Sequence, residues 1–490
     1  MFETLPANSL IQIAVCLGLT ALVALATWLT IRRSRHDGSS KDVFLAGKGL
    51  SWLFVAGSIT LTNLSTDQLV GMNGNQMALL AWWEIAGFAG LLILAFVFVP
   101  IYYREGCTTV TELLEKRYGG RSIRTLISGL FLAGNVLIYL PAALYSGSLF
   151  MHSLFGGGVP LLAFAAVLAV ISAGYTMLGG LRAVAVMDTY SGIGILGLAL
   201  LIVVLALAAV DFDIVTGMPP ERLSMIGAAD SPIPFHTLFT GMIFIQIFYW
   251  STNQNLTQKA MAAPTIREAQ KGVMAAAIIR ILIVPPIVVI PGIVAFKLFG
   301  QVGDAAYGKL VAEVLPPWLS GAFAAMVAAA VITTFSAVLN SSVALYAVDF
   351  HERFIGKVRD FWKLGAAVSV LLTLAAIALV PLYQNAKSII NLLQQLNGLL
   401  SMPILSAFIA GLMFRGVSAP AAIAGVVWGV ALYGAFTFWW QPAGIIAMHY
   451  IDFMVITLVT SVLAALASNR AMGGRAHFAP FWRRPGEALA

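Results

Sequence analysis

The residues best suited to chemistry lie in GSITLTNLSTDQLVGMNG, Gly57 to Gly74, inside an apolar segment that begins near Trp52. Its middle holds Thr60, Thr62, Asn63, Ser65, Thr66, Asp67 and Gln68. Hydrocarbon supplies no water to such groups, so a membrane-crossing segment that carries them must face other helices or a wet cavity. Hydrogen bonds between helices, worth about 0.6 kcal/mol each, are the simpler explanation for scattered polar residues. Seven polar residues within nine positions exceed that need. The run points to a binding site within the membrane, where hydroxyls, amides and a carboxylate hold a ligand by hydrogen bonding or coordination.

Other groups fall at matching depths. Glu84, in LLAWWEIAG, lies about 10 Å in from the outer end of its helix, and Arg280 about 13.5 Å in from Lys271, both near the midplane at 1.5 Å per residue. A buried Arg costs at least about 2.5 kcal/mol and needs a partner. Glu84 and Arg280 therefore either bond each other or jointly clamp a ligand. Asp188, roughly one and a half turns inside from Arg182, either pairs with that Arg or helps coordinate a cation. Gln246, Tyr249, Trp250, Asn253 and Gln254 interrupt another apolar segment too deeply for an interfacial aromatic belt, which favours stacking or gating by Tyr249 and Trp250. Thr333, Thr334, Ser336, Asn340, Ser341 and Ser342 share one helix. Their hydroxyls either bond back to the preceding turn or, beside carbonyls freed by a broken helix, suit a hard cation such as sodium. Asn391, Gln394, Gln395 and Asn397 form an amide cluster suited to a neutral, hydroxylated ligand, and His449 and Asp452 read as a structural pair.

These residues require a polytopic membrane scaffold. The 490 residues are 60% hydrophobic and 10% charged, with a mean hydropathy of +0.91. Thirteen apolar segments, near 9–31, 52–75, 78–103, 125–152, 158–178, 187–210, 234–257, 272–299, 318–349, 361–382, 388–413, 418–438 and 444–468, approach or exceed the roughly 20 residues that span a bilayer. No cleavable signal and no separate soluble domain are evident. With the N-terminus outside, 23 Lys and Arg fall on the inner side, including Lys259, and four on the outer, which places the C-terminus in the cytoplasm and the protein in the inner (plasma) membrane. The net charge of +7 is explained by this asymmetry without nucleic acid. The loop 106–120 is amphipathic and basic and is expected along the inner face. Cys16 and Cys107 sit at different depths, which argues against a disulfide. No GxxxxGK[ST] loop or catalytic cluster suggests an enzyme or pump, and no mid-membrane His suggests proton coupling. No organic cofactor or protein partner is indicated.

Seven blocks in order, TNLSTDQLVGMNG, TVTELLEKRYGG, GGLRAVAVMDTY, FYWSTNQNLTQKAMAA, EAQKG, VIPGIVAF and VITTFSAVLNSS, make the chain resemble the solute:sodium symporter family over nearly its whole length. The likeness is strongest to bacterial sodium/galactose and sodium/glucose cotransporters, with some to the sialic acid transporters. It implies an all-α, leucine-transporter-type fold of about thirteen transmembrane helices. An extra helix and lead-in occupy 1–49, inverted five-helix repeats 50–211 and 233–415, and two further helices with a basic tail 416–490. Each repeat would open on a broken helix around a midplane site. The break in the second is expected near Gln246.

The same resemblance implies a sugar held by Asn63, Gln68, Glu84, Gln246, Arg280 and Gln394, with Tyr249 as an aromatic gate. It implies sodium at the hydroxyls of Thr333 and Thr334 and the carbonyls of Leu61, Leu64 and Ala330, and a coupling role or second sodium at Asp188. The expected function is sodium-coupled symport of a monosaccharide or related polyol. Two departures bear on the solute. Arg280 stands where the sugar transporters usually have Lys, which raises the prospect of an acidic sugar, and Gly87 replaces a small hydroxyl residue. Against a sialic acid, no Arg lies within 125–152, where those transporters hold the carboxylate.

Overall fold

A computed structural model describes residues 7–31, 44–155, 159–227, 231–384 and 389–480. The basic stretch 32–43, Lys387 and the tail residues Arg483 and Arg484 lie outside the described residues. Among those described, ten helices are long and apolar enough to cross a membrane, and Leu161–Met177 is a shorter apolar helix. Two further spanning segments are broken. Together these account for the thirteen segments expected.

The first break separates α2 (Trp52–Asn63) from α3 (Thr66–Asn75), after the N-terminal α1 (Ala7–Ile31). Leu64 (φ −75°, ψ 59°) and Ser65 (φ −88°, ψ 174°) leave the helical region between them. Asp67 lies in the first turn of α3, where its charge suits the positive end of the helix. Helices α4 (Ala81–Ile93), α5 (Val99–Glu105), α6 (Val110–Tyr118), α7 (Arg121–Gly134) and α8 (Leu140–Leu154) follow. Helix α6 is docked against the rest of the protein through one face. Its Leu113 and Leu114 are buried, and Arg117 donates to the carbonyls of Gly411 and Phe414.

The next element, α9 (Leu161–Ala208), is two helices joined at Gly180, whose φ of 52° and ψ of −153° only glycine adopts readily. Its second half runs very close to α2: a Cβ on Gly57 would stand 2.4 Å from the Thr189 hydroxyl. This approach brings Asp188 against α2.

The second break differs from the expectation. Helix α10 (Gly241–Ile247) passes into a π-turn, Phe248–Thr252, and the chain becomes extended at Asn253 (φ −79°, ψ 123°) before α11 (Gln254–Met261). The discontinuity thus lies at Asn253, seven residues beyond Gln246, and Asn253 caps α11 by accepting from the Asn255 amide at 2.9 Å. Helices α12 (Ile266–Leu282), α13 (Val284–Phe299), α14 (Ala306–Val314), α15 (Pro317–Ala344), α16 (Phe361–Tyr383), α17 (Ile389–Met413), α18 (Ala419–Ala435) and α19 (Tyr450–Ala471) complete the bundle. The innermost is α15, whose alanines from Ala322 to Ala330 let α1, α8 and α9 pack closely. Further π-turns occur at Leu94–Phe98, Asn135–Tyr139, Leu345–His351 and Phe436–Trp440. Pro100 and Pro141 follow the first two; each lacks the N–H that would continue α-helical bonding.

Candidate functional site

The two breaks meet at a cavity of about 60 Å³. From the first come Thr62, Asn63, Ser65, Asp67 and Gln68, and from the second Tyr249, Asn253 and Asn255. Gln394 and Asn397 of α17, Tyr139 and Thr334 close the remaining sides, with Trp83, Ile390 and Leu393 supplying apolar surface. Asn63 Nδ2 donates to the Tyr249 hydroxyl at 2.9 Å, and the Tyr139 hydroxyl donates to Asn397 Oδ1. The free carbonyl oxygens of the Asn63 and Gln68 side chains are buried without a hydrogen-bond partner. Such groups are costly unless something fills the space beside them.

Of the six residues expected to hold a sugar, Asn63, Gln68 and Gln394 line this cavity, and so does the aromatic Tyr249. Glu84, Gln246 and Arg280 are not among its lining. Arg280 Nη2 donates to Glu84 Oε2, both side chains being essentially inaccessible, and the guanidinium lies 4.7 Å from the centre of the Trp250 indole. Gln246 spans the neighbouring gap: its Nε2 donates to the Trp83 carbonyl at 2.9 Å, and its Oε1 accepts from Trp250 Nε1 at 3.0 Å. Gln68 approaches the Glu84 carboxylate and so connects this polar cluster to the cavity. Arg280 Nε and Nη1 and Glu84 Oε1 remain buried and unpartnered. Gln395 turns away to Gln441, at 2.7 Å.

Of the expected sodium ligands, Thr334 lines the same cavity as Thr62 and Asn63 at the first break. Leaving the helix at Leu64 deprives the preceding carbonyls, Leu61 among them, of the i+4 amides that would otherwise bond them. Across from them on α15, Thr334 Oγ1 is buried and unpartnered at the cavity wall. Thr333 Oγ1 donates to the Ala330 carbonyl at 3.2 Å and keeps its lone pairs. The Leu61 carbonyl freed at the break and the unpartnered Thr334 hydroxyl are oxygens of the kind a hard monovalent cation takes, whereas the Thr333 hydroxyl and the Ala330 carbonyl bond each other.

Asp188 is not paired with Arg182. Its Oδ2 accepts from Ser58 Oγ at 2.6 Å, Thr62 Oγ1 at 3.2 Å and Lys259 Nζ at 3.0 Å. Lys259, assigned to a cytoplasmic loop on charge counting, is instead fully buried on α11. At another end of the bundle, Asp452 pairs with His236 at 2.8 Å rather than with His449, which caps α19.

The lining also includes Asp67, Asn253 and Asn397, which the sequence motifs single out, and Tyr139 and Asn255, which they do not. Asp67 carries the one carboxylate among the cavity residues and accepts from Ser65. Its place within the polar run was the available signal. For Tyr139 and Asn255 no local signal exists, because each reaches the cavity only through the packing of distant helices.

The sequence model of the sodium:solute symporter family matches residues 43–429. An uncharacterized symporter of Escherichia coli, YidK, is 35% identical over 457 residues, covering 88% of this chain and 78% of that protein. The sodium/glucose cotransporter of Vibrio parahaemolyticus is 28% identical over 494 residues, covering 91% and 88%. A substrate-bound, outward-open sodium-coupled sialic acid symporter superposes with a TM-score of 0.77 at 17% identity, over 96% of this chain and 98% of that one. The fold is the leucine-transporter type, all-α, with two inverted five-helix repeats that each open on a broken helix. With the family match spanning most of its length, the chain belongs to the sodium:solute symporter family.

Proposed function

We propose that this symporter imports a monosaccharide or related polyol together with sodium by alternating access. The observation that carries the reading is the cavity at the paired helix breaks, walled by amides and hydroxyls and reaching the unpartnered Thr334 hydroxyl. Neutral donors and acceptors at this density match a ligand with many hydroxyls. In this reading Asn63, Gln68 and Gln394 bind the solute directly. Glu84, Gln246 and Arg280 complete the polar wall when the cavity widens, and Tyr249 closes over it. Sodium travels at the Leu61, Leu64 and Ala330 carbonyls and the Thr333 and Thr334 hydroxyls. The protein acts as a carrier, not an enzyme, in the inner membrane, with the N-terminus outside, the C-terminus in the cytoplasm, and repeats at 50–211 and 233–415. The sodium/glucose cotransporter among its relatives supports a sugar-like solute.

One positive charge crossing a 100 mV potential yields about 2.3 kcal/mol, and a tenfold sodium gradient adds about 1.4 kcal/mol. One sodium thus supports accumulation of roughly a few hundred-fold.

A second reading, symport of an acidic sugar, draws on the two Arg280 nitrogens that lack partners. Arg forks readily onto carboxylates. Asp67 at the cavity wall opposes it, because it would face an incoming anion.

The experiment is the melting temperature of the purified protein with galactose, glucose, myo-inositol, galacturonate, sialic acid or proline, each in sodium and in potassium. Stabilisation by a neutral sugar or inositol in sodium alone supports the proposal. A shift with only galacturonate or sialic acid moves the assignment to the acidic class. Shifts equal in the two salts remove sodium coupling from the reading.

A further inference from the structure

We propose that the ammonium of Lys259 occupies the place of a second cation beside Asp188, so that one sodium rather than two accompanies each solute. The inference rests on the sodium-symport reading above and deepens it to the coupling ratio.

Lys259 and Asp188 are both fully buried, 3.0 Å apart between Nζ and Oδ2. The ammonium also donates to the Ser58 backbone carbonyl at 3.1 Å, while the Ser58 and Thr62 hydroxyls donate to Asp188 Oδ2 at 2.6 and 3.2 Å. A carboxylate, a backbone carbonyl and two hydroxyls are oxygen ligands of the kind a bare hard cation collects. Here a tethered cation sits among them. Its charge cancels that of Asp188, and a sodium ion added to the same place would leave an uncompensated charge in a site closed to water.

The contrast with the other candidate cation site is one of charge. The set around Leu61 and Thr334 contains only neutral oxygens, and the Thr334 hydroxyl has no partner. It gains a charge when sodium arrives and loses it when sodium leaves, as a transported ion requires. At Asp188 the positive charge is covalently part of the chain and cannot leave. The two places are nonetheless mechanically connected. Thr62, bonded to Asp188, follows Leu61 directly and lines the solute cavity. The Lys259–Asp188 pair thereby ties together α2 just before the first break, α9, and α11 just after the second. A fixed ammonium holds these three elements whether or not sodium is present, whereas a sodium ion would hold them only when bound.

Radiolabelled sodium binding to the purified full-length chain, with choline as the replacing cation and no solute, counts the sites. The expected result is one sodium per chain in the wild type, two in Lys259→Met, and one in the Asp188→Asn/Lys259→Met double variant. The double variant keeps the locus neutral and ties the second ion to Asp188; if Lys259→Met alone fails to fold, the wild-type count of one against two still decides the inference. Two sodium ions in the wild type, or one in a folded Lys259→Met protein, overturn the inference and leave sodium symport standing. No bound sodium in the wild type overturns sodium symport itself. The melting temperature gives an independent readout: Lys259→Met should lose stability in choline and gain about twice the wild-type increment per tenfold rise in sodium. Equal increments overturn the inference.

Discussion

The guanidinium of Arg280 lies 4.7 Å from the centre of the Trp250 indole and donates through Nη2 to Glu84 Oε2. The cation contacts both a π system and a carboxylate, which compensates part of its desolvation. Removing one member of a buried pair costs about 3–5 kcal/mol, whereas replacing both is often close to neutral. Glu84→Gln and Arg280→Met should therefore each lower the melting temperature markedly. The double variant should recover most of the loss, as thermal unfolding of the three proteins would reveal.

Thr334 and Thr333 are adjacent, but their hydroxyls are differently engaged. Thr334 Oγ1 has no partner and Thr333 Oγ1 already bonds the Ala330 carbonyl. Loss of one coordinating oxygen worth about 1.4 kcal/mol corresponds to a tenfold weaker affinity. Thr334→Ala should raise the sodium concentration for half-maximal uptake by about that factor or more, and Thr334→Ser should restore it. Unchanged sodium activation in Thr334→Ala removes this hydroxyl from the site.

Tyr249 presents its hydroxyl to Asn63 at 2.9 Å. Tyr249→Phe keeps the ring and removes the acceptor, a change worth about 0.5–1.5 kcal/mol. The half-saturating solute concentration should rise roughly two- to tenfold, with the sodium dependence preserved. Uptake kinetics at fixed sodium and at fixed solute separate the two effects.

Asp304 lies in a short connection between α13 and α14, and its Oδ2 accepts the Ile389 amide at the start of α17, 2.9 Å away. Burial pushes its carboxyl up from 3.8 to about 6. Because the folded protein holds this proton more tightly than the unfolded chain, stability from this group is fully present below pH 3.8 and is lost as pH rises toward 6. The loss is bounded at about 3 kcal/mol and reduced by partial exposure. Asp304→Asn should flatten that part of the stability profile relative to wild type, measured as the difference in melting temperature between pH 4 and pH 7.

Much of this architecture is readable from residue types. The first break announces itself because polar groups crowd an apolar segment, and the depth of Glu84 and Arg280 brings them together before any coordinates are known. The second break is harder to read: no glycine or proline marks Asn253, and the departure from α-helix begins within the aromatic run Phe248–Trp250. Lys259 misleads for a physical reason. A lysine in a polar stretch before AMAAPT looks like the edge of a loop, and its partner lies 71 residues earlier on another helix. Charge counting cannot distinguish a solvated lysine from one neutralised by an acid brought close through glycine-permitted packing at Gly57.

Tyr139 and Tyr249 share an unusual setting, since both stand within π-turns at the cavity wall. A π-turn holds one residue more than the α-helical turn it replaces, and each residue in an α-helix advances about 100° around the axis. Insertions and deletions in these short stretches therefore act as substitutions in disguise. A descendant lacking a single codon between Phe248 and Thr252 would turn a different side chain toward the cavity while keeping every neighbouring residue, and its preference for solutes could diverge without one amino acid having been exchanged.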